Sequence, residues 1–187
     1  LVELDAQQRG SRTLDGHVIY AGTFSKILAP GLRIGWIAAP TVVIDKLVQA
    51  KQSADLQSST LSQLLVYEAC KDGFIDGHIE RLRATYRDRR DLMLAALAQH
   101  FPDEVRWSKP EGGLFLMVTL PEHLDAAELL KEALNYKVAF VPGTDFFIEG
   151  GANTFRLNFS NAQPAMIEAG IERLGALLKA VLVRQPA

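Results

Sequence analysis

An α/β piece followed by a compact α+β unit is what the sequence predicts, and three observations carry the prediction. Two short apolar runs, HVIYAG (17–22) and RIGWIAA (33–39), bracket a lysine-bearing stretch as strands bracket a connection. Next, GHIERLRATYRDRRDLMLAALAQHF (77–101) sets Ile79, Leu82, Tyr86, Met93 and Leu97 at helical spacing. After residue 102 strand-like and helix-like segments alternate at short intervals, the texture of a small layered unit.

Taken in order, the first strand ends where GTFSKILAPGLRIGW begins, and the second is closed by Pro40. From Val42 to about Lys71 the pattern is helical, and the polar stretch KQSADLQSST splits it into two helices. At the end of that stretch, SSTLSQ (58–63) reads as a helix N-cap cluster. Gly77 and Pro102 bracket the long helix. The expected sequel is a strand at VRW, a turn at SKPEGG, a strand at LFLMVTL and a helix over 125–135. Strands at VAFV and FRLNFS follow, separated by the turn PGTD. A last helix keeps Ile167, Ile171, Leu174, Leu178 and Val181 on one stripe. The domain reading is therefore residues 1–80 as one part, a bridging helix at about 77–101, and residues 81–187 as the small unit.

Composition narrows the function. At 187 residues, 48% hydrophobic and 22% charged, the chain can bury a substantial core. A formal charge of −2 gives no bulk attraction to nucleic acid or to an anionic membrane. The single cysteine, Cys70, excludes an internal disulfide and fits a reducing, cytoplasmic setting. No apolar run reaches the roughly 20 residues that span a bilayer. The start, LVELDAQQRG, has neither an initiator Met nor a signal-peptide layout and reads as the middle of a longer chain. The four histidines show no metal spacing, and neither EGG (111–113) nor EGGAN (149–153) matches a P-loop or dinucleotide fingerprint. Neither a G-x-S-x-G nor an S-x-x-K motif is present, so a serine hydrolase is unsupported. Five arginines between 81 and 90 interleave with Glu80, Asp88 and Asp91, which reads as a solvated helix face rather than a nucleic-acid surface.

Lys26 is the residue to explain. A lysine is ordinarily a solvated charge, and that is the reading for the other seven. Here Thr23 and Ser25 precede it, Arg33 follows seven positions on, and apolar runs flank the whole. An amine held at a strand end in a partly desolvated site has its pKa pushed down. It then serves as a nucleophile toward a carbonyl and later as a general base. Two hydroxyls and a guanidinium suit a phosphate dianion. An aldehyde that carries a phosphate satisfies both halves, and pyridoxal 5′-phosphate (PLP) is such a molecule. On spacing alone a surface turn with an ordinary lysine stands nearly level with this reading. Arg156, between Phe155 and Leu157, is an odd choice for a core strand, and its plainer reading is an edge-strand arginine facing water. Tyr20, at the end of the first strand, is expected in the core.

VIYAGTFSKILAPGLRIGWIAAP resembles the lysine signature of fold-type I PLP-dependent aminotransferases of class I/II, nearest the branch with 2-aminoadipate transaminases and MocR-type regulators. The likeness continues through HIERLRATYRDRRDLMLAAL, PEGGLFLMVTLP, VAFVPGTDFF and FRLNFSNA, across essentially the whole chain. It implies the PLP-dependent transferase fold, present here as the end of the large domain plus the α+β small C-terminal domain. It implies Lys26 as the Schiff-base lysine, Thr23, Ser25 and Arg33 as phosphate ligands, and Arg156 as the clamp on a substrate carboxylate. It further implies amino-acid and 2-keto-acid substrates and a homodimeric parent, with no nucleic acid or membrane contacted by this segment. The family's ring-stacking aromatic, its Asp at the pyridine nitrogen and its glycine-rich phosphate turn all precede the lysine, and none is in these 187 residues. The resemblance thus covers the C-terminal half, which implies a piece inactive alone and a Lys26 left exposed. Two other functions remain open on the same residues: the PLP-binding effector domain of a MocR-type transcription regulator, and a PLP-dependent lyase.

Overall fold

A computed structural model describes residues 1–11 and 13–184. They fall into two compact units, Leu1–Leu82 and Arg83 onward.

The first unit opens on helix α1 (Val2–Arg9), which the sequence reading missed and which buries no residue. Gly10, at φ 64°, ends it in the left-handed conformation that glycine adopts without penalty. Strands β1 (Tyr20–Thr23) and β2 (Gly35–Ala38) pair antiparallel, from Tyr20↔Ala38 to Thr23↔Gly35. Helices α2 (Thr41–Ala54) and α3 (Thr60–Lys71) follow, divided where the polar stretch predicted. Ser59 caps α3, its hydroxyl accepting the Ser62 N–H at 3.4 Å. The apolar run HVIYAG reads as a buried strand, yet neither β1 nor β2 is buried. Tyr20 likewise is not core: it is 47% exposed, with its ring against Trp36 at 5.1 Å between centroids. The reason is topological. A sheet of two strands has two open faces and two open edges, so an apolar sequence does not guarantee cover.

Helix α4 (Phe74–His100) runs through the boundary between the units. It starts ahead of Gly77, which lies inside it; the break in the chain is Gly73, at φ 76°. The second unit then adds β3 (Arg106–Trp107), β4 (Phe115–Thr119), α5 (Ala126–Asn135), β5 (Val141–Pro142), β6 (Thr154–Asn158) and α6 (Pro164–Arg184). Its sheet runs β3-β4-β6-β5, antiparallel throughout. The strand expected at VAFV shrinks to Val141–Pro142, the two residues that pair with β6.

Strand alternation decides which face is core. Leu116 and Val118 on β4 join Phe155 and Leu157 on β6, all at most 5% exposed. They share one core with Met93 and Leu97 of α4, Leu129 of α5 and Ile171, Leu174 and Leu178 of α6. The ring of Phe155 stacks on Phe140 at 4.2 Å. Gly175 lets α6 come this close: a Cβ there would lie 2.5 Å from the His100 carbonyl oxygen. Phe115, Met117 and Arg156 occupy the opposite, half-open face.

Candidate active site

The lysine sits on the connection between β1 and β2. The ladder closes the base of this connection at Thr23↔Gly35, and the Phe24 N–H donates to the Ile34 carbonyl at 3.1 Å. Inside it, the N–H groups of Leu28 and Ala29 both donate to the Phe24 carbonyl, at 2.8 and 3.1 Å. Pro30 then starts a short 3-10 turn, Pro30–Leu32. The connection is therefore internally tied at both its start and its middle.

Four candidate side chains ride on it. The Thr23 hydroxyl accepts the Ser25 N–H at 3.1 Å and donates to the Ile34 carbonyl at 3.4 Å. That places Thr23 and Ser25 beside the residue that follows Arg33. Arg33 ends the 3-10 turn at φ 54°, a left-handed conformation that costs a non-glycine residue about 1–2 kcal/mol. Its guanidinium donates to the Pro30 carbonyl at 2.8 Å, which steadies that conformation and leaves the remaining N–H groups to other partners. Lys26 is exposed, and among the described residues its amine has no partner. The desolvated environment that the residue pattern suggested is thus not supplied by the described chain, whereas the exposure implied by its short span is what the structure shows. The donor set of one amine, two hydroxyls and one guanidinium is the chemistry that an aldehyde bearing a phosphate dianion calls for.

Local sequence explains why this connection keeps its shape. Gly22 pairs with Trp36 across the ladder, and a Cβ at 22 would run into the indole. At Gly35 a Cβ would come within 3.1 Å of the Gly22 carbonyl oxygen. A groove of about 820 Å³ lined by Tyr20, Trp36 and Ala38 lies between α1 and the hairpin, and none of the four candidate side chains lines it. Among the described residues one carboxylate has a shifted pKa, Asp5 on α1. Burial pushes it up, but the Arg9 side chain at 3.0 Å, the His17 N–H and the nearby Arg9 charge together hold it below the usual carboxylate value.

In the second unit Arg156 is not on an edge. Strand β6 is flanked by β4 and β5, with Arg156 opposite Met117 on one side and Val141 on the other. Its Cζ lies over the Phe115 ring, 4.0 Å from the centroid, and over the Phe146 ring at 4.3 Å. No hydrogen bond or ion pair engages its guanidinium among the described residues. Two aromatic rings and no carboxylate leave an arginine's N–H edge available for a planar anion. Phe115 and Phe146 were not singled out by the sequence. They stand far from Arg156 along the chain, and only the β4–β6 register and the 3-10 turn Gly143–Phe146 bring them to it.

Residues 4–174 match the family model Aminotransferase class I and II, and the chain belongs to that family. Its mixed α/β fold is accordingly that of the PLP-dependent aminotransferases. Over 166 residues it is 49% identical to aromatic-amino-acid aminotransferase 1 of Thermococcus litoralis, a match that covers 88% of this chain and 40% of the relative. The alpha-aminoadipate aminotransferase LysN of Thermus thermophilus, solved as a complex with N-(5′-phosphopyridoxyl)-L-leucine, matches with a TM-score of 0.89 at 44% identity. That match covers 96% of this chain and 45% of LysN. The uncharacterized HTH-type transcriptional regulator YdfD of Bacillus subtilis is 35% identical over 175 residues, 92% of this chain and 36% of the regulator. The chain thus spans about two-fifths of the length of the relatives it matches.

Proposed function

We propose that this chain is the C-terminal part of a PLP-dependent aminotransferase, with residues 1–80 from the large domain, a bridging helix at about 77–101, and residues 81–187 as the small domain. The observation that carries the reading is the β1–β2 connection, which gathers Thr23, Ser25, Lys26 and Arg33 on one tied loop in a member of this family. When bound, PLP supplies an electron sink that loosens the bonds at the α-carbon of an amino acid.

The chain's own residues have separable tasks. Lys26 would provide the amine that takes the aldehyde, and then the base that receives the α-proton and hands it to the carbon derived from that aldehyde. Thr23, Ser25 and Arg33 hold the phosphate. For this the Thr23 hydroxyl turns from the Ile34 carbonyl, a long contact at 3.4 Å, and that carbonyl keeps the Phe24 N–H. No buried acceptor is orphaned by the exchange. Arg156 takes the substrate carboxylate along its N–H edge, which fixes the amino acid for proton removal. The substrates in this reading are an amino acid and a 2-keto acid, and the parent is a cytoplasmic homodimer whose segment here touches neither nucleic acid nor membrane. Among the described residues no helix is long and apolar enough to cross a membrane.

The likeness to YdfD favours a second reading, in which the same loop belongs to the effector domain of a regulator. One assay separates them. The PLP-loaded parent should pass an amino group from an amino acid to a 2-keto acid, and Lys26→Ala should lower that rate by roughly a thousandfold or more. A parent that holds PLP yet transfers no amino group would favour the regulator.

A further inference from the structure

Arg156 is held in an unusual way for a cation without a charged partner. Phe115 begins β4 opposite Asn158, so it lies diagonally from Arg156 on the same half-open face. Phe146 arrives from the turn after β5, and that turn is pinned to β6. A Cβ on Gly143 would strike the Thr154 hydroxyl, and Thr154 donates both its N–H (3.0 Å) and its hydroxyl (2.8 Å) to the Gly151 carbonyl. Gly151, at φ 79°, packs against the Phe147 ring, where a side chain could not fit. The close approach of Gly143 to Thr154 thus holds against β6 the turn that carries Phe146.

We infer that Phe115 and Phe146 are positioning residues: their rings fix the plane of the Arg156 guanidinium so that its N–H edge, and not its face, meets the substrate carboxylate. An arginine has rotamer freedom to lose on binding, and one already held between rings has less to lose. The ring faces also attract the charge without competing for its N–H groups, as a carboxylate partner would. This inference rests on the carboxylate role proposed above for Arg156.

The test is NMR of the Arg156 Nε–H in the protein, titrated with pyruvate as the carboxylate probe, beside steady-state kinetics of the PLP-loaded parent. In the wild type the Nε–H resonance is ring-current shifted, and pyruvate moves it saturably. Phe146 is 43% exposed on a surface turn, so Phe146→Leu should leave the fold intact. It should remove most of the ring shift, weaken pyruvate binding and raise the KM for the amino acid roughly fivefold, with kcat within about twofold. Phe146→Tyr should restore both, and Phe115→Leu should act in the same direction. An unshifted wild-type resonance, or Phe146→Leu with unchanged affinity, would overturn the inference, as would equal losses in kcat and kcat/KM. The two readings separate cleanly. A wild type that binds pyruvate at Arg156 but transfers no amino group defeats the aminotransferase reading alone. One that transfers amino groups with no effect of Phe146→Leu defeats the positioning role alone.

Discussion

The unit from Arg83 onward closes a core of its own, whereas the unit before it does not. In the second, four strands lay one face on α4, α5 and α6, and Leu97, Val118, Phe155, Leu174 and Leu178 are all fully buried. In the first, Ile34, Ala39 and Val66 are the buried apolar side chains among the described residues, while Trp36, Ile37, Val48, Leu64 and Leu65 stand 43–56% exposed. The sequences are equally apolar to the eye; the difference is the number of strands available to cover them. Burial is a property of neighbours, and a two-stranded sheet has too few. In the proposed longer protein this open surface is where the rest of the large domain would pack.

Stability measurements sharpen the contrast, and the largest effect belongs to the core. Phe155→Ala should cost about 3–5 kcal/mol in urea unfolding followed by tryptophan fluorescence. Leu64→Ala on α3, 56% exposed, should change it by no more than about 0.5 kcal/mol in this chain. A comparable loss at both positions would show that the first unit is covered after all.

Within α6 the two glycines should respond in opposite directions. Gly175→Ala drives a Cβ onto the His100 carbonyl and should destabilise by about 1–3 kcal/mol. Gly170 has nothing within 4 Å, so Gly170→Ala should stabilise by up to about 1 kcal/mol through helix propensity. Thermal melting of both variants decides this, and like signs would contradict the packing described.

Caps should divide the units in the same way. Asp125 accepts the N–H groups of Ala127 and Glu128 at 2.7 and 3.1 Å, and Asp125→Ala should cost about 1 kcal/mol. Ser59 makes one bond at 3.4 Å, so Ser59→Ala should cost less, at the low end near about 0.5 kcal/mol. The smallest effect is that of pH on α1. The Asp5 pKa is lowered in the folded chain, so its contribution is present above the ordinary carboxylate value of 3.8 and fades as pH falls through the lower folded one. A carboxyl NMR titration of Asp5 with its midpoint at or above 3.8 would contradict the contacts with Arg9 and His17.

How much of this could be read beforehand follows from distance along the chain. The split between α2 and α3, the last helix and the Ser59 cap rest on local patterns, and each was legible. Helix α1 was not, because it buries nothing and so shows no apolar stripe; Gly10 and the Asp5–Arg9 spacing were its available signals. Gly77 misled, since a lone glycine costs a helix only about 1 kcal/mol while Gly73 carries the positive φ. At the site, Lys26, Thr23, Ser25 and Arg33 are one contiguous motif and stood out. The left-handed backbone of Arg33 and the rings around Arg156 did not, because they depend on a tied loop and on strand register rather than on neighbours in sequence.

The role of Lys26 is tested most simply by borohydride reduction after incubation with PLP, on this chain and on the longer parent, followed by peptide sequencing. Lys26 should carry a phosphopyridoxyl mark in the parent, weaker or absent in the chain alone, where that lysine is exposed. A parent marked elsewhere, or marked evenly over its surface lysines, would contradict that role.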